Sequence, residues 1–332
     1  MKNTILTFCC ILLQQSLFAE NKDWLIDGSP YKTEVNLSSD KKQIELTNGL
    51  LRRSFSLTPN GATIALDNLM TGQNELRAVR PEAVLVINGK EYPVGGLEGQ
   101  PVHNFLTKDF LSGMQLCDSA FVLAGYTVSE TKERFPWKPN EAWISNRYPW
   151  PAPGKRITFT YRAPRKIVDE CKGLTIRIVY ELYDGAPILS KWIEIDNKGQ
   201  KAVTLDSFKS EVLALVETAP KVHYGEPHEV RMMAQEPGYY TEDYRKKPVQ
   251  TDAPRDYIDR FTQLFVVTDY AMGGDMEAMK DNPAVRWVFD HPEYEFTGIR
   301  YYGQYKPARL EVTPLLGPAE EIAPGESFTS CR

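Results

Sequence analysis

The sequence predicts an all-β protein, a large antiparallel sandwich, on three observations. Apolar and polar residues alternate with period two from about residue 43 onward, clusters of Gly, Pro, Asn and Asp interrupt the alternation at short intervals, and helical periodicity is nearly absent. A dozen or more short strands at this spacing suit antiparallel sheets, since βαβ units need helices between their strands. The best helical candidate is a short stretch around residues 275–280.

From the N-terminus, residues 1–19 read as a signal peptide. Lys2 supplies a positive start, residues 5–13 an apolar run, and Ala19 a small residue at which a signal peptidase cuts. The run is too short for a membrane span and Gln14, Gln15 and Ser16 interrupt it, so the chain is expected to be exported to the periplasm or outside the cell. Residues 20–42 form a lead-in and residues 43–332 a single β domain, because no low-complexity linker or internal repeat divides them.

Within that domain "QIELTNG" places Ile44 and Leu46 on one face before an Asn48-Gly49 turn, and "LLRRSFSLTPNG" returns to Pro59-Asn60-Gly61, which makes a hairpin. "AVLVINGKEYPV" holds Asn88-Gly89 between two apolar runs, a strong hairpin signal. "GLTIRIVYELYDGAP" sets Leu174, Ile176, Ile178, Tyr180 and Leu182 on one face, with Thr175, Arg177 and Glu181 opposite. Asp184-Gly185 then turns the chain into "ILSKWIEIDNKG". Further strands are expected at 157–161, 203–215, 262–268, 284–289, 298–303 and 308–313. "ESFTSCR" begins another alternating strand and stops at Arg332 without a polar tail, so the domain is expected to be truncated there and the parent chain to continue.

Charge and cysteines narrow the classes of function. The formal charge is −5, or −6 once Lys2 is removed with the signal, and no basic run occurs, which argues against nucleic acid or an anionic membrane as partner. Beyond the signal, Cys117, Cys171 and Cys331 leave open a Cys117–Cys171 bridge or buried free thiols.

Most catalytic signatures are missing. "VGGLEGQ" lacks the spacing and the following helix of a nucleotide site, and no G-x-S-x-G elbow occurs. His228-Glu229 has no second histidine at helical spacing; His223, Glu226, His228 and Glu229 read as a polar loop rather than a metal site. Glu194 with Asp196, and Glu293 with Glu295, alternate along strands, a pattern more often solvated than catalytic. No catalytic residue, cofactor or metal is therefore expected.

One stretch does carry a candidate site. "RFPWKPNEAWISNRYPWPAPG", residues 134–154, holds three of the six tryptophans among Pro136, Pro139, Pro149, Pro151 and Pro153, which forbid a regular ladder. Such a loop is either a lid over a sheet face or a platform on which sugar rings stack. On the second reading Trp137, Trp143 and Trp150 supply the rings, and Asn146 and Arg147 hydrogen-bond the hydroxyls. "PVHNFLTKDF" (101–110) and "GYYTEDYRKKP" (238–248) are similar loops that would line the same cleft.

The segments 44–72, "PEAVLVINGKEYPVGG" and "LTIRIVYELYDGAPILSKWIEIDNKG" together resemble the N-terminal β-supersandwich, related to the galactose mutarotase fold, of α-galactosidase-like (melibiase-type) glycoside hydrolases. Strand and turn patterns carry the resemblance, not catalytic motifs. It implies a galactose mutarotase-like supersandwich followed by a (β/α)8 barrel bearing both catalytic aspartates. That barrel is absent from these residues, so no catalytic position transfers. What remains is a non-catalytic domain that shapes the entrance to a sugar site, with a saccharide and the following barrel as partners. Two alternatives stand beside it. One is a free-standing sugar epimerase using a histidine acid, from His103, His223, His228 or His291, with a glutamate base; the other is a carbohydrate-binding module.

Overall fold

The computed structural model describes residues 23–101, 105–138, 140, 149–164, 171–218, 229–230, 266, 268, 285–290, 307–314 and 317–332. The signal peptide, the helix expected at 275–280, the strand expected at 298–303 and nearly all of that at 262–268 lie outside them.

All-β is correct, and the alternating segments form antiparallel strands. The first sheet runs in chain order: β1 (Glu34–Leu37), β2 (Gln43–Thr47), β3 (Leu51–Ser56), β4 (Ala62–Asn68) and β5 (Gln73–Asn74). β6 (Leu76–Ala78) leaves it for another sheet. The Asn88-Gly89 turn joins β7 (Ala83–Ile87) to β8 (Lys90–Val94), and a short helix α1 (Lys108–Gly113), capped by Thr107, precedes β9 (Val122–Glu130). β9, β10 (Gly154–Arg162), β11 (Leu174–Tyr183) and β12 (Leu189–Asn197) form a meander. β13 (Val203–Lys209), β14 (Glu211–Thr218), β15 (Glu229–Val230), β16 (Val285–Phe289), β17 (Pro307–Val312), β18 (Glu320–Ile322) and β19 (Ser327–Thr329) complete the set.

The sandwich expectation, and with it the supersandwich resemblance, is corrected by how these strands are shared out. They form four sheets, ordered β1-β2-β3-β4-β5, β19-β12-β11-β10-β9, β18-β13-β7-β8 and β15-β16-β17-β14-β6. The result is a four-bladed arrangement of the β-propeller kind, not two extended sheets face to face. The segment 203–215, expected as one strand, shows why. It divides at Ser210 into β13, which pairs with β7 and β18, and β14, which pairs with β6 and β17. The Ser210 amide donates to the Val312 carbonyl at 2.8 Å, so the chain passes between sheets without losing a backbone bond. Alternation specifies which side chains point inward, but it is silent on which sheet a strand joins.

The main core lies where the inner faces of three sheets meet. Ile44, Leu46 and Phe55 of the first sheet, Leu85 and Tyr92 of β7 and β8, and Ile157, Phe159, Ile178 and Tyr180 of the meander are all buried in one cluster. Phe55 touches Phe159 and Tyr180 with ring centroids 4.8 and 4.9 Å apart. The inward face assigned to β11 is thus correct, and on its other face Thr175 and Glu181 are buried too while Arg177 stays partly exposed. A second cluster, including Leu66, Leu76, Leu213 and Leu310, joins the first sheet to the one containing β14.

The lead-in belongs to the fold. β1 pairs with β2, the Gly185 amide donates to Tyr31 O at 2.8 Å, and the Thr33 amide donates to Asp184 Oδ1 at 2.8 Å. Gly28 lies so close to the Asp184-Gly185 turn that a Cβ there would sit 2.5 Å from Gly185 O. At the other end, "ESFTSCR" does form an edge strand: β19 pairs with β12 from Asp196 to Glu194.

Candidate functional site

The aromatic loop is the connection between β9 and β10, whose register sets Glu130 opposite Lys155. Its two ends are tied together: the Thr131 hydroxyl donates to Ala152 O at 2.6 Å and the Thr131 amide to Gly154 O at 3.3 Å. Trp150 packs against Phe135 and Trp137 with centroid separations of 5.3 and 5.4 Å, and its indole N–H donates to Phe135 O at 3.2 Å. Phe135 remains 51% exposed and Trp150 38%. The three rings cluster with one another, and Phe135 and Trp150 keep apolar surface open.

Trp137 and Trp150, two of the five candidate residues, are in contact. Trp143, Asn146 and Arg147 lie outside the described residues, as do the four histidines, the 223–229 cluster apart from Glu229, the pair Glu293 and Glu295, and the loop 238–248. Glu194 and Asp196 are described, and both clamp Arg177: its Nε donates to Glu194 Oε2 at 2.7 Å and its Nη2 to Asp196 Oδ1 at 2.8 Å. That pair is a structural ion cluster, with Asp196 held below the usual carboxylate range chiefly by its hydrogen bond to Arg177. Among the described residues no group of three or more His, Cys, Asp or Glu side chains could hold a metal, and Cys117, Cys171 and Cys331 are not disulfide-bonded.

At the foot of the loop lies a cleft of about 210 Å³ that reading the sequence missed. Lys132, Arg134, Arg156, Trp192 and Arg332 line it, together with Glu133 and Glu194. Its organising group is the buried carboxylate of Glu181. This accepts from Arg156 Nε at 2.8 Å, the Lys132 amide at 3.3 Å, the Tyr183 hydroxyl at 2.9 Å and Arg332 Nη1 at 3.4 Å. Arg156 and Arg332 lie over the Trp192 ring, 5.0 and 4.0 Å from its centroid, and the Trp192 indole donates to Glu194 Oε1 at 3.0 Å. Arg156 and Glu181 face each other across β10 and β11, an opposite-charge pair recognisable only once the strand register is known.

Elsewhere, a cavity of about 420 Å³ is bounded by the "VGGLEGQ" loop, Arg77, Arg80 and Asp290. Both guanidiniums bind the buried Asp290 carboxylate, Arg80 through Nε at 2.7 Å and Nη2 at 2.6 Å. The loop adopts positive φ at Gly95, Gly96 and Gly99 and makes no helix, as expected.

No family model matches the chain, and no curated protein matches it. Among solved structures it is similar to a GH36 α-galactosidase of Geobacillus stearothermophilus, at 12% identity over 90% of this chain and 40% of that one, with a TM-score of 0.39. A TPR-domain-containing protein of Parabacteroides distasonis (13% identity, 87% and 46%, 0.39) and a galactose mutarotase-like protein of Clostridium acetobutylicum (11%, 91% and 98%, 0.38) are comparably distant. The chain spans less than half the length of the first two. At these TM-scores the likenesses establish neither the fold nor the activity of this protein.

Proposed function

We propose that this chain is a non-catalytic, saccharide-binding domain of an exported glycoside hydrolase, acting beside a catalytic barrel contributed by the rest of its parent protein. The observation that carries this reading is the cluster of Phe135, Trp137 and Trp150 on a tethered loop, in which Phe135 and Trp150 are exposed. Aromatic faces complement the apolar faces of sugar rings, and neighbouring polar side chains hydrogen-bond their hydroxyls. Export is supported by residues 1–19 alone.

The test is calorimetric titration of the protein with neutral galacto-oligosaccharides. Trp137→Ala and Trp150→Ala should each weaken binding by about three- to tenfold, the worth of one stacking contact, with an unchanged melting temperature. Binding that survives both substitutions unaltered removes the platform from the function.

A further inference from the structure

We propose that the cleft at the foot of the aromatic loop selects saccharides bearing an acidic group, a carboxylate or a sulfate ester. The proposal rests on the saccharide reading above and adds the class of sugar. Four cationic side chains line the cleft, Lys132, Arg134, Arg156 and Arg332, against two carboxylates, Glu133 and Glu194. Glu194 is already engaged by Arg177 and by the Trp192 indole, and the Glu181 carboxylate behind the wall is saturated by donors from within the protein. Arg156 and Arg332 also bind Glu181, so four cations stand against the three carboxylates Glu133, Glu194 and Glu181, and the cleft keeps one net positive charge, with the Lys132 ammonium in no ion pair among the described residues. A sugar hydroxyl both donates and accepts, whereas a carboxylate or sulfate only accepts and carries charge, so a cleft rich in guanidinium and ammonium donors favours the acidic group.

The Trp192 face is covered by Arg332 at 4.0 Å, so the indole supports that guanidinium instead of receiving a ring. Stacking falls to the neighbouring platform. Phe135 is three residues from Lys132, at most about 11 Å along the chain, so one short oligosaccharide reaches both. A volume of about 210 Å³ suits a single acidic sugar unit at the end of such a chain.

The experiment compares trigalacturonate, a sulfated galactotriose and plain galactotriose by calorimetry, at about 0.01 M and about 0.15 M ionic strength. An acidic probe should bind at least about tenfold more tightly than the neutral one at low salt and lose most of that margin at the higher salt. Whichever acidic probe binds best identifies the group. Arg332→Gln and Lys132→Gln should each remove much of the margin while leaving galactotriose binding unchanged. Lys132 makes no ion pair among the described residues, so its substitution tests the cleft without disturbing the fold. Equal affinity for charged and neutral probes, unaffected by either substitution, overturns the inference and leaves the platform standing. Failure of all three probes to bind overturns both.

Discussion

Arg53 and Glu211 form a largely buried two-point ion pair, Nη1 to Oε2 at 2.6 Å and Nη2 to Oε1 at 3.2 Å, which connects β3 to β14. Thr63 of β4 accepts from Arg53 Nε at 2.9 Å, and Glu82, just before β7, accepts from the Thr63 and Tyr180 hydroxyls. Lys191 of β12 reaches Glu211 Oε1 at 2.6 Å, so residues on or bordering all four sheets contribute to a single network. Removing one member leaves the others charged and dry. Glu211→Ala is expected to cost about 3–5 kcal/mol in chemical denaturation. A cost under about 1 kcal/mol means that water enters the network freely.

The same carboxylate sets an acid limit on stability. Burial alone would raise the Glu211 pKa, but attraction to Arg53 and Lys191 outweighs it and lowers the value from 4.5 to about 2. A depressed folded pKa means that the unfolded chain binds the proton first. The contribution is complete above about pH 4.5 and is lost as pH falls toward 2. Denaturation midpoints measured between those limits should fall steeply for the native protein and more gently for Glu211→Gln.

The Tyr161 hydroxyl is buried without a hydrogen-bond partner among the described residues. Tyr161→Phe should accordingly be neutral, or stabilising by up to about 1 kcal/mol, contrary to the usual cost of altering a core side chain. A Cβ on Gly61 would lie 2.5 Å from that hydroxyl, so Gly61→Ala should be markedly less harmful when combined with Tyr161→Phe. A double-mutant cycle checks it: additive costs mean that the two sites do not press on each other.

Thr131 ties the base of the aromatic loop through its hydroxyl bond to Ala152. Thr131→Val preserves shape and removes that bond, worth about 1 kcal/mol. Protease cleavage within 132–153 should accelerate while the global unfolding midpoint barely moves. Unchanged cleavage assigns the tether to other contacts.

The three thiols should differ in reactivity by burial. Cys117 and Cys331 are partly exposed and Cys171 is fully buried, so in the native protein a thiol reagent should label the first two and reach Cys171 only on unfolding. Protection of both Cys117 and Cys171 that is reversed by reductant would indicate a bridge.

The sequence by itself determined the all-β class, the Asn88-Gly89 and Asn48-Gly49 turns, the inward face of β11 and the irregular loop carrying Trp137 and Trp150. Those depend on short-range physics: the two-residue side-chain period, the backbone freedom of Asn and Gly, and the constraint of proline. The tertiary structure decided the division at Ser210, the four sheets in place of a sandwich, and the burial of Arg53, Glu82 and Glu211. It also brought Arg156, Glu181 and Arg332 together at the loop's foot, 151 residues separating Glu181 from Arg332. A charged residue in an alternating strand reads as solvent-facing from its neighbours alone. Whether an opposite charge waits across the sheet depends on register and on which sheet a strand joins, and both are settled by long-range packing.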